Sequence, residues 1–280
     1  MPSWGGRYTR RDTVGSVDPR DVVNRYLEIA DSVMPGLVEG LYLVGSVALN
    51  DWVDGVSDID FVAVLAEPAT DDDVGYLRTI HAVLHEEIPS PSFDGVYLAW
   101  GDLVVEPATG LHRPWVLDGQ VHHDGDCFEI NPITWYTLAT HGVLARGPAI
   151  ARLDIPTDLE ARVRFVLDNL ATYWTDVRNE VRSACETDSD AAFGASSFVW
   201  CVLGALRLHY TAFTGEVTSK SGAADHGLTV LPVHLHATLN AALDHRRRGE
   251  LDRVDTGTMA LAAEVITWVL DDVEAASGHR

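Results

Sequence analysis

Apolar residues recur along this chain at two different spacings, and the change from one to the other falls near its middle. Asp18-Pro19 predicts a helix start, with an N-cap followed by proline at the first helical position, and Pro35-Gly36 stops that helix after about Val33. Short apolar runs near 40–45 and 58–65 read as strands. Thr70 caps a helix whose Val74, Leu77, Ile80, Val83 and Leu84 recur at helical spacing, and Ser90-Pro91-Ser92 breaks it. Gly95 to Trp100 reads as a further strand, with short strand-like pieces near 114–118 and 143–146. Strands and helices thus alternate to about residue 150.

Beyond that point the pattern is helical. Pro156-Thr157 opens an amphipathic helix carrying Val163, Val166, Leu167 and Leu170. Ser196 to Phe213 is a mostly apolar helix that ends near Gly215. Leu231-Pro232 opens another, and Thr256 to Ala275 forms a last one with Leu261, Val265, Trp268 and Val269 on one face. The expected fold is α+β: an N-terminal α/β domain over 1–150 and a C-terminal helical bundle over 151–280, with the boundary near 150–156. A cleft between two such halves is a usual place for a small-molecule site.

The chemistry concentrates in residues 45–60, GSVALNDWVDGVSDID. A Gly-Ser pair follows the apolar run Leu41 to Val44, and Ser57-Asp58-Ile59-Asp60 leads into a second, Phe61 to Leu65. In a strand, alternate side chains share a face, so Asp58 and Asp60 point the same way with Ile59 buried behind them. Two neighbouring carboxylates repel unless a cation lies between them, and such hard oxygen ligands suit Mg²⁺, which in turn holds nucleotide phosphates. Gly45 lets phosphate approach the backbone, and the Ser46 hydroxyl and nearby N–H groups can donate to it. The plainer alternative is a hairpin with an Asp-rich edge.

The full arrangement of apolar strand, Gly-Ser, acidic connector, Ser-Asp-x-Asp and second apolar strand resembles the DNA polymerase β-like nucleotidyltransferases. Within them the chain resembles the aminoglycoside adenylyltransferases that modify streptomycin and spectinomycin. The resemblance resumes at His141-Gly142-Val143 through Gly147-Pro148 and at Arg207 to Lys220, RLHYTAFTGEVTSK; it is patchy over 95–130 and 170–200. It implies a mixed sheet in the N-terminal domain, a helical domain that helps to bind ATP and acceptor, and transfer of AMP from ATP, with Mg²⁺, to a hydroxyl of a cationic antibiotic. It further implies that Gly45, Ser46 and Ser57 line the nucleotide with Asp58 and Asp60, the two metal ligands, and that Arg207 and Lys220 hold phosphates. Asp94 stands where the family keeps its catalytic carboxylate, usually a glutamate after leucine; here the run is Phe93-Asp94-Gly95. Each position keeps an alternative: Asp94 as a turn residue, Arg207 as a structural ion pair, Lys220 as a solvated loop lysine.

The acceptor side departs from the family. Where its acidic residues lie, about one helix before the arginine, this chain reads AAFGASSFVW over 191–200 without a carboxylate. Glu129, Asp188 and Asp190 are possible substitutes, and Trp115 or Trp200 either stacks on a sugar ring or packs in the core. Transfer to another acceptor, a protein side chain or a metabolite, is therefore the second reading. A non-catalytic nucleotide-binding or toxin–antitoxin module is the third.

Composition narrows the class. A net charge of −22 argues against phosphate-mediated nucleic-acid binding and favours a cationic small molecule, although a chain from a salt-adapted source carries the same excess. No apolar run approaches the roughly 20 residues of a membrane span, and MPSWGGRYTRRD lacks the apolar core of a signal peptide. Cys127, Cys185 and Cys201 show no metal-type spacing, which fits reduced thiols in a cytoplasmic protein, a monomer or a homodimer. His122-His123-Asp124-x-Asp126 reads as an acidic turn, and Arg246-Arg247-Arg248 as a solvated helix end favoured by the helix dipole.

Overall fold

Asp18 opens the first helix, α1 (Pro19–Val33), by accepting from the Arg20 N–H through its side chain. The computed structural model describes residues 17–107, 110–187, 192–248 and 253–277. After α1 come β1 (Gly40–Leu43), one helical turn α2 (Gly45–Ala48), β2 (Ile59–Leu65) and α3 (Asp71–Glu87), whose N-terminus is a capping box between Thr70 and Asp73. β3 (Phe93–Ala99), the short α4 (Trp100–Leu103), β4 (Trp115–Leu117), β5 (Gln120–His122), α5 (Pro132–His141) and β6 (Val143–Arg146) complete the first half.

These strands form one mixed sheet in the order β5-β4-β3-β2-β1-β6. Only β2 and β3 pair in parallel, through the crossover helix α3. One face, with Leu41, Leu43, Phe61 and Tyr97, is covered by α1 and α3. The other, with Tyr42, Val62, Val64, Val96 and Leu98, packs on Trp135 and Leu138 of α5. The strand signal was sound, but β3 begins at Phe93 rather than Gly95, so Asp94 lies inside the strand. The helix α5, opened by Asn131 and Pro132, carries too little amphipathic signal to stand out, because both its faces meet protein.

The second half contains α6 (Leu159–Asn169) and α7 (Thr175–Thr187), continuous through a π-helical turn at Leu170–Trp174. A short strand β7 (Ala192–Gly194) leads into α8 (Ala195–Val199) and α9 (Ala205–Thr214), joined by a second π turn at Trp200–Gly204. Then follow α10 (Lys220–Val230), α11 (His236–Arg248), a strand β8 (Arg253–Asp255) paired with β7, and α12 (Thr256–Ser277). Two expectations change here. Leu231-Pro232 ends one helix and leads into a single 3-10 turn before α11, and Lys220 opens α10 instead of sitting in a loop. Small residues, Gly222, Ala223, Ala224 and Gly227, leave α10 without an apolar stripe.

The two halves meet through α5 and α6 and around α10. Arg162 of α6 lies over the Tyr136 ring, 3.9 Å from its centroid, and donates to the Gly215 carbonyl at 2.6 Å. Tyr136 in turn donates to Glu216. Among the described residues no helix is long and apolar enough to cross a membrane. Cys127, Cys185 and Cys201 are free thiols.

Candidate active site

The parallel register between β2 and β3 sets Asp60 directly opposite Asp94. Matched positions on adjacent strands point to the same face. That is the face of Val62, Val64, Val96 and Leu98, away from α1 and α3, while Ile59 is fully buried on the opposite side. Ile59 and Asp60 therefore take opposite faces, with Asp58 exposed just before the strand and Asp60 half-buried within it.

Two glycines permit the close approaches around these carboxylates. Gly45 has φ +56°, and a Cβ there would lie 1.7 Å from Asp60 Oδ2. The turn after β1 can approach Asp60 only because this position lacks a side chain. Gly95 lies against β2, where a Cβ would come within 2.0 Å of the Phe61 carbonyl oxygen. The Asp94-Gly95 pair thus reflects close strand packing and not a turn. Ser46 approaches the Asp58 carbonyl with its hydroxyl at 3.5 Å. Ser57 is buried, and its Oγ accepts from the Val53 N–H at 3.0 Å, so it closes the turn that delivers Asp58.

The electrostatics show which groups share this region. The Asp60 carboxyl is held well above the ordinary carboxylate range, first by burial, then by Asp58 and Glu129, against the pull of Lys220 and with a further push from Asp94. Asp94 is pushed up to about 7 by burial and by Asp58, although the backbone N–H groups of Asp118 and Gly119 in the β4–β5 turn favour its charged form. Glu129, in the loop before α5, is also pushed up to about 7, by burial and by Asp58 against Arg207. Burial lowers Lys220 and Arg207, opposed chiefly by Asp58 for the lysine and by Asp60 for the arginine. Four carboxylates from the first half therefore face two cations from the second.

The excess of negative charge fits a divalent cation. Among the described residues no three His, Cys, Asp or Glu side chains converge into a ready-made metal cage. Mg²⁺ does not require one, since it is commonly held by one or two carboxylates together with substrate phosphates and water. Asp58 and Asp60 offer that donor set beside the Gly45 turn.

The aromatic candidates fare differently. Trp200 stacks on Trp174 at 4.4 Å between the two π turns and packs on the helical core. Trp115 stacks on His122 at 4.1 Å and meets Phe128, the neighbour of Glu129, edge-on. Its indole N–H is buried without an acceptor among the described residues. Asp188 and Asp190 lie outside the described residues.

Two residues of this region escaped the sequence reading. Asp51 and Arg246 form a buried ion pair at 3.0 Å, with Arg246 only 3% exposed. Arg246 is not at a solvated helix end: it continues the buried stripe Leu239, Ala242, Leu243 of α11, a periodicity the sequence carries.

Comparison with known proteins bears on the family and the fold. A family model described as a nucleotidyltransferase domain matches residues 23–96, and the model for the C-terminal domain of aminoglycoside adenylyltransferases matches 163–270. No curated protein matches the chain. The crystal structure of spectinomycin adenyltransferase AAD(9) from Enterococcus faecialis, determined with ATP and spectinomycin, superposes with a TM-score of 0.64 at 14% identity, covering 92% of this chain and 100% of that one. That likeness establishes a shared fold. With both models matched in this order, the chain is a nucleotidyltransferase and belongs to the aminoglycoside adenylyltransferase family.

Proposed function

We propose that this enzyme transfers AMP from ATP to a hydroxyl of an aminoglycoside or aminocyclitol antibiotic of the streptomycin or spectinomycin type, releasing pyrophosphate. The observation that carries the reading is the meeting of Asp58, Asp60, Asp94 and Glu129 with Arg207 and Lys220 across the junction of the two halves. The structural relative solved with ATP and spectinomycin supports the choice of both substrates. We assign residues 1–150 to the nucleotidyltransferase domain and 151–280 to the helical domain, and we expect the enzyme to act in the cytoplasm.

Asp58 and Asp60 would hold Mg²⁺, which supplies charge neutralisation for the triphosphate when bound. Gly45 lets the phosphates lie against the backbone, with Ser46 as a donor. Asp94 takes the proton from the acceptor hydroxyl. The hydroxyl oxygen then bonds to the α-phosphorus as the bond from that phosphorus to the bridging oxygen breaks. Lys220 and Arg207 hold the departing pyrophosphate, whose charge they match. A carboxyl poised at about 7 is well suited to this base role near neutral pH. Glu129 and the Trp115–Phe128 edge are our candidates for the acceptor's ammonium groups and ring, with the Trp200 stack a second aromatic surface.

Incubation with labelled ATP, Mg²⁺ and a panel of aminoglycosides tests the reading through pyrophosphate release. Release that depends on spectinomycin or streptomycin supports it. Release only with protein or metabolite acceptors, or nucleotide binding without any release, refutes it.

A further inference from the structure

Asp51 lies one turn beyond the Gly45–Ser46 bend and touches both halves of the protein. Its backbone N–H donates to the Ser46 carbonyl at 2.9 Å, which ties it to the turn beside Asp60. Its carboxylate accepts from the Ser221 N–H at 3.1 Å and from the Ser221 hydroxyl at 2.6 Å. Arg246 Nη2 donates to the same carboxylate at 3.0 Å and to the Asp51 carbonyl at 2.5 Å. The carboxylate is 12% exposed, so it is bound chiefly by protein.

Ser221 follows Lys220 directly. On the other side of Lys220, Arg207 donates through Nε to the Thr218 carbonyl at 3.1 Å, and Ser219 caps α10 by accepting from Gly222. The start of α10 is therefore clamped twice, once by Arg207 from within its own half and once by Asp51 from the other.

We infer that Asp51 is a positioning residue: by gripping Ser221 and Arg246 while its backbone holds the Ser46 turn, it fixes Lys220 relative to the phosphate-binding bend. Asp51 itself touches no reacting atom. The inference rests on the nucleotide-site reading above. It also fixes the sign of a perturbation. Asp51 is an anion near Lys220, Arg207 and Arg246, so on charge alone its removal should strengthen binding of a triphosphate. As a positioning group, its removal should weaken it.

The test measures ATP affinity with Mg²⁺ by calorimetry in Asp51→Ala, Ser221→Ala, Lys220→Ala and the two double variants, with Tm recorded for each. Asp51→Ala is expected to weaken ATP about tenfold and Ser221→Ala about threefold. In the Lys220→Ala background both effects should shrink below about twofold, because the group they position is gone. An affinity that is unchanged or raised overturns the inference, as does a loss that persists in full without Lys220, since that marks a general structural effect. If Asp51→Ala does not fold, the Ser221→Ala pair, which leaves the Arg246 ion pair in place, decides by the same criteria. A wild-type chain that binds no ATP refutes the nucleotide site itself, whereas binding with additive variants refutes only the positioning role.

Discussion

Replacing Gly45 by alanine should separate activity from stability. The new Cβ would stand 1.7 Å from Asp60 Oδ2 and 2.6 Å from Asp60 Cγ, against an ordinary contact of 3.4 Å or more. The carboxylate must therefore retreat by roughly 1.7 Å or the turn must open. The φ of +56° adds a left-handed conformation that costs an alanine about 1–2 kcal/mol. For a chain of this size that corresponds to a fall in Tm of roughly 2–8 °C. Part of the loss is offset, because an Asp60 side chain swung away escapes the burial and the carboxylates that oppose its charge. Chemistry has no such relief. A displacement on the order of 1 Å in a reacting constellation costs about 100-fold, so the turnover of Gly45→Ala should fall at least that far. Pyrophosphate release, thermal melting and ATP titration on the same preparation provide the comparison. Near-normal turnover would show that the bend does not govern Asp60, and the account of the metal corner would fail with it.

Asp60→Asn should abolish pyrophosphate release while raising Tm, because it removes a charge that burial and Asp58 oppose; a destabilised variant would contradict this. Asp94→Ala should lower kcat by about 100-fold or more with little change in ATP affinity, and wild-type turnover should rise with pH through about 7 as Asp94 loses its proton. A flat profile there, with chemistry rate-limiting, would move the base elsewhere. His81, buried against the Tyr97 hydroxyl at 2.7 Å, is lowered to about 3 by burial. The unfolded chain takes up that proton below about 6.5 and the folded one does not, so this stability is fully present above 6.5 and is lost as pH falls toward 3. The loss is about 1.4 kcal/mol per pH unit, or about 2 kcal/mol at pH 5. Denaturant melts of wild type and His81→Leu across pH 5–7.5 should diverge by that slope, and parallel curves would refute it.

The sequence was most informative where function and local pattern coincide. Gly-Ser and Ser-Asp-x-Asp flank strands whose burial keeps them apolar, so the paired carboxylates stand out in the sequence itself. The opposite facing of Ile59 and Asp60 follows from strand geometry alone. What escaped notice depends on tertiary contact. Helix α5 meets protein on both faces and α10 is built of small residues, so neither shows the usual stripe. Arg246 looked solvated because its neighbours Arg247 and Arg248 are exposed, yet its own position continues an apolar face. Ser57 kept its place in the motif, but its oxygen serves the turn. The acceptor side stays the least legible, since aromatic side chains that stack on one another in Trp174–Trp200 look the same in sequence as those that stack on a ligand.

The pairing of Asp60 with Asp94 is set by the backbone ladder between two central strands. A slip of one residue would turn one of them to the wrong side. The connector between those strands, 66–92, carries α3, whose buried Leu77, Ile80 and Leu84 pack on the face of the sheet opposite the two acids. Its solvent-facing positions are free to drift while the two acids keep station, so variation among related chains should collect there and spare the buried stripe and the rungs of the ladder.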